Sequence, residues 1–337
     1  MYRAELEVEF ITPAFIRGAD QKKAELRAAS IKGAMRWWFR ALAGNYFGND
    51  IEGLKKAESY VFGSTERKSR VKVIVNSNEN NIKYGKAPIP MVWKDGKRLL
   101  ARCIKEKSTF SVTLLSYDFH ALYLSTLSFV AMSFLGGIGF RSNRGTGSIK
   151  ILGIESNSVK LPFSLLPCGP NQFENVVKTL LDEFMNTIKK FQRKDNPKRK
   201  WECGISCPPY SSFKCFSLWL WPDDSSDIRK IVREVCYSEH ETLDSPKSLL
   251  GAFEKEFKTK KIYQDEIFGL PRPKCGLKGR RASPMKVGVV YLGETPYVRF
   301  SVFKTCPFSL NKKDVRWELI DRFLSNIKAQ KIFHGGE

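Results

Sequence analysis

Thirteen residues, Gly136–Ser148 (GGIGFRSNRGTGS), combine five glycines with two arginines, Arg141 and Arg144. Glycines let main-chain N–H groups come close to phosphates, and arginines add charge and forked donors. The segment is therefore a candidate anion cradle, the alternative being a tight turn that displays its arginines. A dinucleotide fingerprint needs its glycines between a strand and a following helix. Here the pattern places a helix before the loop and a strand after it, which excludes that chemistry. No Gly-Lys-Ser/Thr closes the loop, so it is not a P-loop either. A second candidate is the run Ile31–Ala43, where Lys32, Arg36 and Arg40 recur every four residues with Trp37 beside them. Such a stripe reads either as a solvated helix face or as a phosphate-facing one, and no acidic i,i+4 partner softens it.

Groups suited to catalysis are sparse. The three histidines are His120, His240 and His334. His120 enters an apolar helix and reads as a core residue. His240 lies in the acidic stretch SEHETLDS, and His334 near the end of the sequence. None has the basic or Gly-rich surroundings expected of an acid or base acting at a phosphate. Asp223 and Asp224 read as a helix cap rather than a metal site. Of eight cysteines only Cys203 and Cys207 are close, with Cys215 eight residues on. Without a second Cys or His pair at matching spacing, buried thiols are expected in preference to zinc.

With 57 Lys+Arg against 35 Asp+Glu, the 337-residue chain has a net charge of +22. That excess requires an anionic partner or costs stability through self-repulsion. RNA, DNA, an anionic membrane or an acidic protein would each serve. No membrane span is expected, because the most apolar stretch, Phe119–Leu135, is 17 residues long and holds His120, Ser125, Ser128 and Ser133. It suits a buried core helix. MYRAELEVEF has no signal-peptide pattern, so a cytoplasmic location is expected.

The elements that must position these residues follow from periodicity. Ala4, Leu6, Val8 and Phe10 alternate with Glu5, Glu7 and Glu9, the pattern of a half-buried strand. A helix capped by Ser30 is expected over Ile31–Ala43, with Ile31, Ala34, Met35, Trp38 and Leu42 on its apolar face. Residues 44–70, punctuated by glycines, read as an irregular insertion. Strands at Val71–Val75 and Phe110–Leu115, the 119–135 helix and a strand at Ile149–Ile154 complete the order strand-helix-strand-strand-helix-strand, that of a ferredoxin-like or RRM unit. Gln172–Phe191 reads as a helix, and Arg193–Glu202 as a basic loop. FKCFSLWLW, a helix at Asp227–Tyr237, MKVGVVYL, YVRFSVFK and a C-terminal helix around Val315–Ile327 repeat the order in degenerate form. The expected fold is α+β: two tandem ferredoxin-like domains with insertions, at 1–155 and 211–337, joined by a helical or loop connector over 156–210.

Three segments in order along the chain, LRAASIKGAMRWWFRAL (Leu26–Leu42), GIGFRSNRGTGS (Gly137–Ser148) and IFGLPRPKCGLKGRRASPMKV (Ile267–Val287), carry a family resemblance. They resemble the RAMP superfamily of CRISPR-associated proteins, and within it the first-subunit family of the Cmr (type III-B) RNA-silencing effector complex. The resemblance implies two ferredoxin-like domains, a place among other Cmr subunits, and contact with CRISPR guide and target RNA. It implies no catalytic role, since target cleavage belongs to a different, backbone-forming subunit, and no cofactor or metal is expected. By matching position the motif residues are Arg27, Ser30, Lys32, Gly33, Arg36, Trp37 and Arg40 in the helix. In the loop they are Gly137, Gly139, Arg141, Arg144, Gly145 and Gly147. In the second half they are Gly269, Pro271, Arg272, Arg280, Arg281, Ser283 and Pro284. Arg141, Arg144, Arg272, Arg280 and Arg281 are expected to line one basic cleft walled by Lys32, Arg36 and Arg40, with Phe140 and Trp37 placed to stack on bases. Two other readings stay open: a metal-independent CRISPR-transcript endonuclease, and a protein–protein scaffold facing acidic subunits.

Overall fold

The computed structural model describes residues 1–94, 97–192, 210–222, 284–305 and 317–335. Strand β1 (Tyr2–Phe10) buries Ala4, Leu6, Val8 and Phe10, as its alternation requires. It is central in an antiparallel sheet with β2 (Val71–Asn76), β5 (Thr109–Ser116) and β6 (Ile149–Ser156), in the order β2-β5-β1-β6. Leu6 lies opposite Val112 on β5 and Ile154 on β6, and the β6 pairing shifts register between Glu7 and Val8. One face of the sheet is covered by helices α1 (Ala28–Phe47) and α3 (Phe119–Leu135). Helices α2 (Ile51–Phe62) and α4 (Pro170–Gln192) pack into the same core.

A second antiparallel sheet has β7 (Phe216–Pro222), β8 (Met285–Leu292), β9 (Thr295–Phe303) and β10 (Gln330–His334), in the order β10-β7-β9-β8. Numbered in chain order within each sheet, both sheets run 4-1-3-2. One face of the second sheet packs Met285, Val287, Phe300 and Val302 on α5 (Glu318–Asn326). The other face, with Phe216, Leu218 and Phe303, joins the core of the first sheet.

Helix α3 has the bounds read from its hydropathy, and it is buried from Ala121 to Leu135. Its hydroxyls tolerate burial because they bond locally. Ser125 and Thr126 donate to the Leu122 carbonyl at 2.7 and 2.9 Å, and Ser128 donates to that of Leu124 at 2.7 Å.

Several expectations are corrected. Helix α1 begins at Ala28 and not after Ser30, because the Ser30 and Ile31 amides already donate to the Arg27 carbonyl. It also continues to Phe47. Residues 51–62 are helical rather than irregular: Asp50 caps α2 through the Gly53 amide at 2.9 Å, and Leu54, Ala57, Val61 and Phe62 form its buried face. A hairpin, β3 (Tyr84–Lys94) and β4 (Lys97–Ile104), is added to the expected elements, as is β10. The expected helix at 227–237 and the basic loop at 193–202 lie outside the described residues.

Candidate nucleic-acid interface

The glycine loop joins the two sheets. The Gly145 amide donates to the Val287 carbonyl on β8 at 3.0 Å, and the Val287 amide to the Asn143 carbonyl at 3.1 Å. Lys286 Nζ donates to Asn143 Oδ1 at 2.7 Å, and the Val289 amide to Ser148 Oγ at 3.0 Å. Other loop amides are also bonded within the protein: Ile138 to the Gly147 carbonyl, Phe140 to that of Phe15, and Gly147 to that of Pro13. These amides cannot also hold a phosphate, so an anion meets the loop chiefly through its side chains. Glycine is required at 139 and 147, where φ is 98° and 65° and a Cβ would strike the Phe15 and Ile138 carbonyls.

At the loop's tip, Phe140 is 54% exposed and Arg141 Cζ lies 5.3 Å from its ring centroid. Arg141 holds φ 62°, a left-handed conformation uncommon for a residue with a Cβ. Arg144, by contrast, is buried where its backbone bridges to Val287.

Helix α1 divides its basic stripe among different neighbours. Arg36 Nε and Arg40 Nη1 donate to the same oxygen, Glu58 Oε1, at 2.5 and 2.8 Å. Glu58 comes from α2 and is itself 5% exposed. Lys32 opens instead onto a groove beside β2. Burial, with Arg36 adding, holds the Lys32 ammonium below the ordinary lysine range. Trp37 turns toward the second sheet, where Lys286 Nζ sits 3.9 Å from its ring centroid and Phe303 meets it edge-on at 5.3 Å. Arg27, just before α1, lies 3.6 Å from Glu25. Gly33 is on the open side of the helix, where a Cβ would meet nothing within 4 Å. Pro284, last residue of the second-half motif, is buried immediately before β8, with its carbonyl accepting from the Phe303 amide at 2.9 Å. Gly269, Pro271, Arg272, Arg280, Arg281 and Ser283 lie outside the described residues, as do Asp223, Asp224, Cys203, Cys207 and His240.

Two cations at the junction of the sheets, the buried Arg299 and the half-buried Lys286, escape the sequence reading. Arg299 on β9 is wholly buried, and its Nη2 donates to the Gly136 carbonyl at 2.7 Å. Beside it Ser301 Oγ donates to the Leu135 carbonyl at 2.9 Å. Together they bond carbonyls at the end of α3, where the helix dipole is negative and favours a cation. Burial pulls Arg299 down to about 9, so it stays charged at neutral pH. The alternation in YVRFSVFK suggests a solvated face for Arg299, but both faces of β9 are covered. Lys286 is pulled down to about 7, by burial first and then by the Arg299 charge. A base whose folded pKa is lowered loses its proton earlier in the native state than in the unfolded chain. Stability should therefore rise as pH climbs from about 7 toward the ordinary lysine value of 10.5. Urea denaturation at pH 7 and pH 9 should show this gain, reduced in Lys286→Met; an identical gain in the variant would refute the assignment.

The histidine expectation also changes. His120 is half-buried, not in the core. It lines a groove of about 350 Å³ with Lys56, Tyr60, Arg67, Asp118 and Lys190. It stands in the first turn of α3, outside the buried stretch, and that is why the apolar helix does not enclose it. His334 lies on β10, opposite Ser217. Cys103 is buried, which raises its thiol to about 11. Among the described residues no three His, Cys, Asp or Glu side chains gather to hold a metal ion, and no helix is long and apolar enough to cross a membrane.

Comparison with known proteins supplies a family. Residues 7–150 match the RAMP superfamily, and residues 213–334 match the Cmr1 C-terminal domain. CRISPR system Cmr subunit Cmr1-1 of Pyrococcus furiosus is 34% identical over 366 residues, covering 99% of each chain. Subunit Cmr1-2 of the same organism is 38% identical over 181 residues, 45% of this chain and 96% of that one. The crystal structure of Cmr1 from P. furiosus in its apo form superposes with a TM-score of 0.66 at 29% identity, covering 99% of this chain and 100% of that one. A chain of the type III-B Cmr-beta complex bound to cognate target RNA shares the fold, with a TM-score of 0.58 at 13% identity over 97% of this chain and 98% of that one.

Proposed function

The chain belongs to the Cmr1 family of RAMP proteins, and from that membership we propose that it is a non-catalytic, RNA-binding subunit of a type III-B CRISPR (Cmr) effector ribonucleoprotein. It contacts guide RNA, target RNA or both, beside other Cmr subunits, in antiviral defence. Its architecture is two ferredoxin-like domains, 1–155 and 211–337, linked through 156–210. The 4-1-3-2 strand order of both sheets supports this division.

The observation that carries the reading is the tip of the glycine loop. The loop is pinned by amides bonded within the protein, and it displays the Phe140 ring outward with the half-buried Arg141 beside it. A rigid platform that offers one ring and one guanidinium suits a single strand, with a base stacked on the ring and a phosphate on the arginine. Trp37 takes part less directly, since Lys286 covers one side of its ring.

The test is fluorescence anisotropy of a labelled single-stranded RNA titrated with the full chain at several salt concentrations. Binding should weaken with salt, by about 0.7 in log–log slope for each phosphate neutralised. Phe140→Ala should weaken it by about 1–3 kcal/mol, the usual worth of one stacked base. A wild-type slope near zero refutes phosphate-driven binding and favours the scaffold reading.

A second reading, the metal-independent endonuclease, draws on His120 facing the basic groove of Lys56, Arg67 and Lys190. Labelled repeat RNA incubated without metal should stay intact with the wild-type chain. Cleavage that disappears in a folded His120→Ala variant would establish the enzyme instead.

A further inference from the structure

We infer that the chain has a second single-stranded RNA contact, separate from the glycine loop, in the basic groove between the first turn of α1 and edge strand β2. The inference rests on the RNA-binding reading above and extends it to a surface that the glycine-loop motif does not reach.

The groove has a volume of about 690 Å³, with Ala28 and Ala29 along one wall and Val71, Val73 and Leu115 among its apolar lining. Lys32, Lys68, Arg70 and Lys72 converge on it from α1, the loop before β2, and β2 itself, and no carboxylate lines it among the described residues. Lysines on an edge strand have an ordinary use, blocking edge-to-edge association. That use does not explain Lys32, which approaches from a helix and sits partly buried beside Arg36. Holding four like charges around one concavity is unfavourable unless an anion enters it.

Three features favour RNA over an acidic protein surface. The cations ring an apolar floor, so phosphates at the rim and a base on the floor are satisfied together. Tyr117 stands at the edge of the groove 86% exposed, a ring available for stacking. Arg70 is held with Cζ 4.6 Å from the Tyr60 ring centroid, which fixes its guanidinium at low entropic cost. A carboxylate-bearing partner would use the charges and leave the floor and the tyrosine unused.

The experiment compares the full chain with Lys68→Glu/Lys72→Glu, both exposed positions whose replacement leaves the core untouched. A labelled, mixed-sequence single-stranded RNA of roughly 20 nucleotides, long enough to reach beyond one platform, is the probe. We expect affinity at low salt to fall at least tenfold, and the salt slope to shrink by about 0.7 for each phosphate that the variant no longer neutralises. In parallel, lysine acetylation of the wild-type chain should show Lys32, Lys68 and Lys72 protected by the RNA, with Lys178 on α4 unprotected. Unchanged affinity and slope together with unprotected groove lysines would overturn the second contact. If Phe140→Ala still weakens binding in that case, only this inference fails. If the wild-type chain shows no salt-dependent RNA binding at all, the parent reading fails. Lysines protected by an acidic polypeptide such as poly-glutamate but not by RNA would assign the groove to a protein partner and also overturn the inference.

Discussion

Replacing Arg36 and Arg40 together by alanine is expected to destabilise the fold by about 3–5 kcal/mol, the usual consequence of stranding one member of a buried ion pair. The stranded group is Glu58, whose carboxylate lies against the α1–α2 interface and receives both guanidinium groups on one oxygen. Either arginine alone can still neutralise it. Each single replacement should therefore cost only about 1 kcal/mol, in the range of partly exposed pairs. The double variant should be far less stable than the two singles combined would make it. Denaturant unfolding of wild type, singles and double measures this directly. Adding Glu58→Leu to the double variant should recover much of the stability, because an apolar side chain of similar volume needs no counter-ion. If the double variant is only as unstable as the two singles added together, the shared-carboxylate account is wrong. RNA affinity measured on the singles then separates the remaining question, since each leaves the fold intact while removing one positive charge from α1.

The contrast between Glu58 and the sequence pattern shows what is legible in the residues. The Lys32, Arg36 and Arg40 spacing correctly places all three on one helical stripe, and no acidic residue follows them at i+4. The partner that Arg36 and Arg40 share comes from α2, eighteen residues beyond Arg40. That helix is hidden because Gly48, Gly53 and Gly63 punctuate its surroundings; two of the three flank α2 and only Gly53 lies within its span. Strands with clean alternation, β1 above all, are legible, as is α3 through its unbroken hydropathy. Hairpin β3–β4 is not, since Pro88 and Pro90 interrupt it and its register shifts between Pro88 and Trp93. Strand β10 is five residues long and follows Lys328 at φ 58°, too short a run for a period to declare itself. For the site, composition alone locates the glycine loop but says nothing of how its amides are used. Whether an amide faces a phosphate or the β8 carbonyls depends on tertiary placement, and the same holds for Arg144 and Arg299.

Trp38→Ala should produce the other large effect, a loss of about 3–5 kcal/mol, as expected for deleting a buried indole. Trp38 is 2% exposed and stands where the two sheets meet. Its ring contacts Phe213 and Phe303 with centroids at 6.2 and 5.9 Å, and Trp37 edge-on at 4.8 Å. It also abuts the end of α3, where a Cβ on Gly136 would fall 2.5 Å from Nε1. The cavity left by alanine therefore opens between α1, α3 and the second sheet at once, and no single element can close it. Trp38→Phe keeps most of the apolar packing and should lose much less. Gly136→Ala on the wild-type background should destabilise through the clash with the indole. On the Trp38→Phe background the smaller ring makes room, so the same change should be milder, giving a coupling within the range of about 0.5–3 kcal/mol seen for neighbouring residues. Purely additive effects would mean that Gly136 is fixed by its backbone and not by the tryptophan. The cycle also bears on RNA, because Trp38 holds in place the helix that presents Lys32 and Trp37 and the start of the loop that presents Phe140 and Arg141. A variant loosened here should lose RNA affinity at both surfaces together, whereas Phe140→Ala or Lys68→Glu/Lys72→Glu should weaken only one.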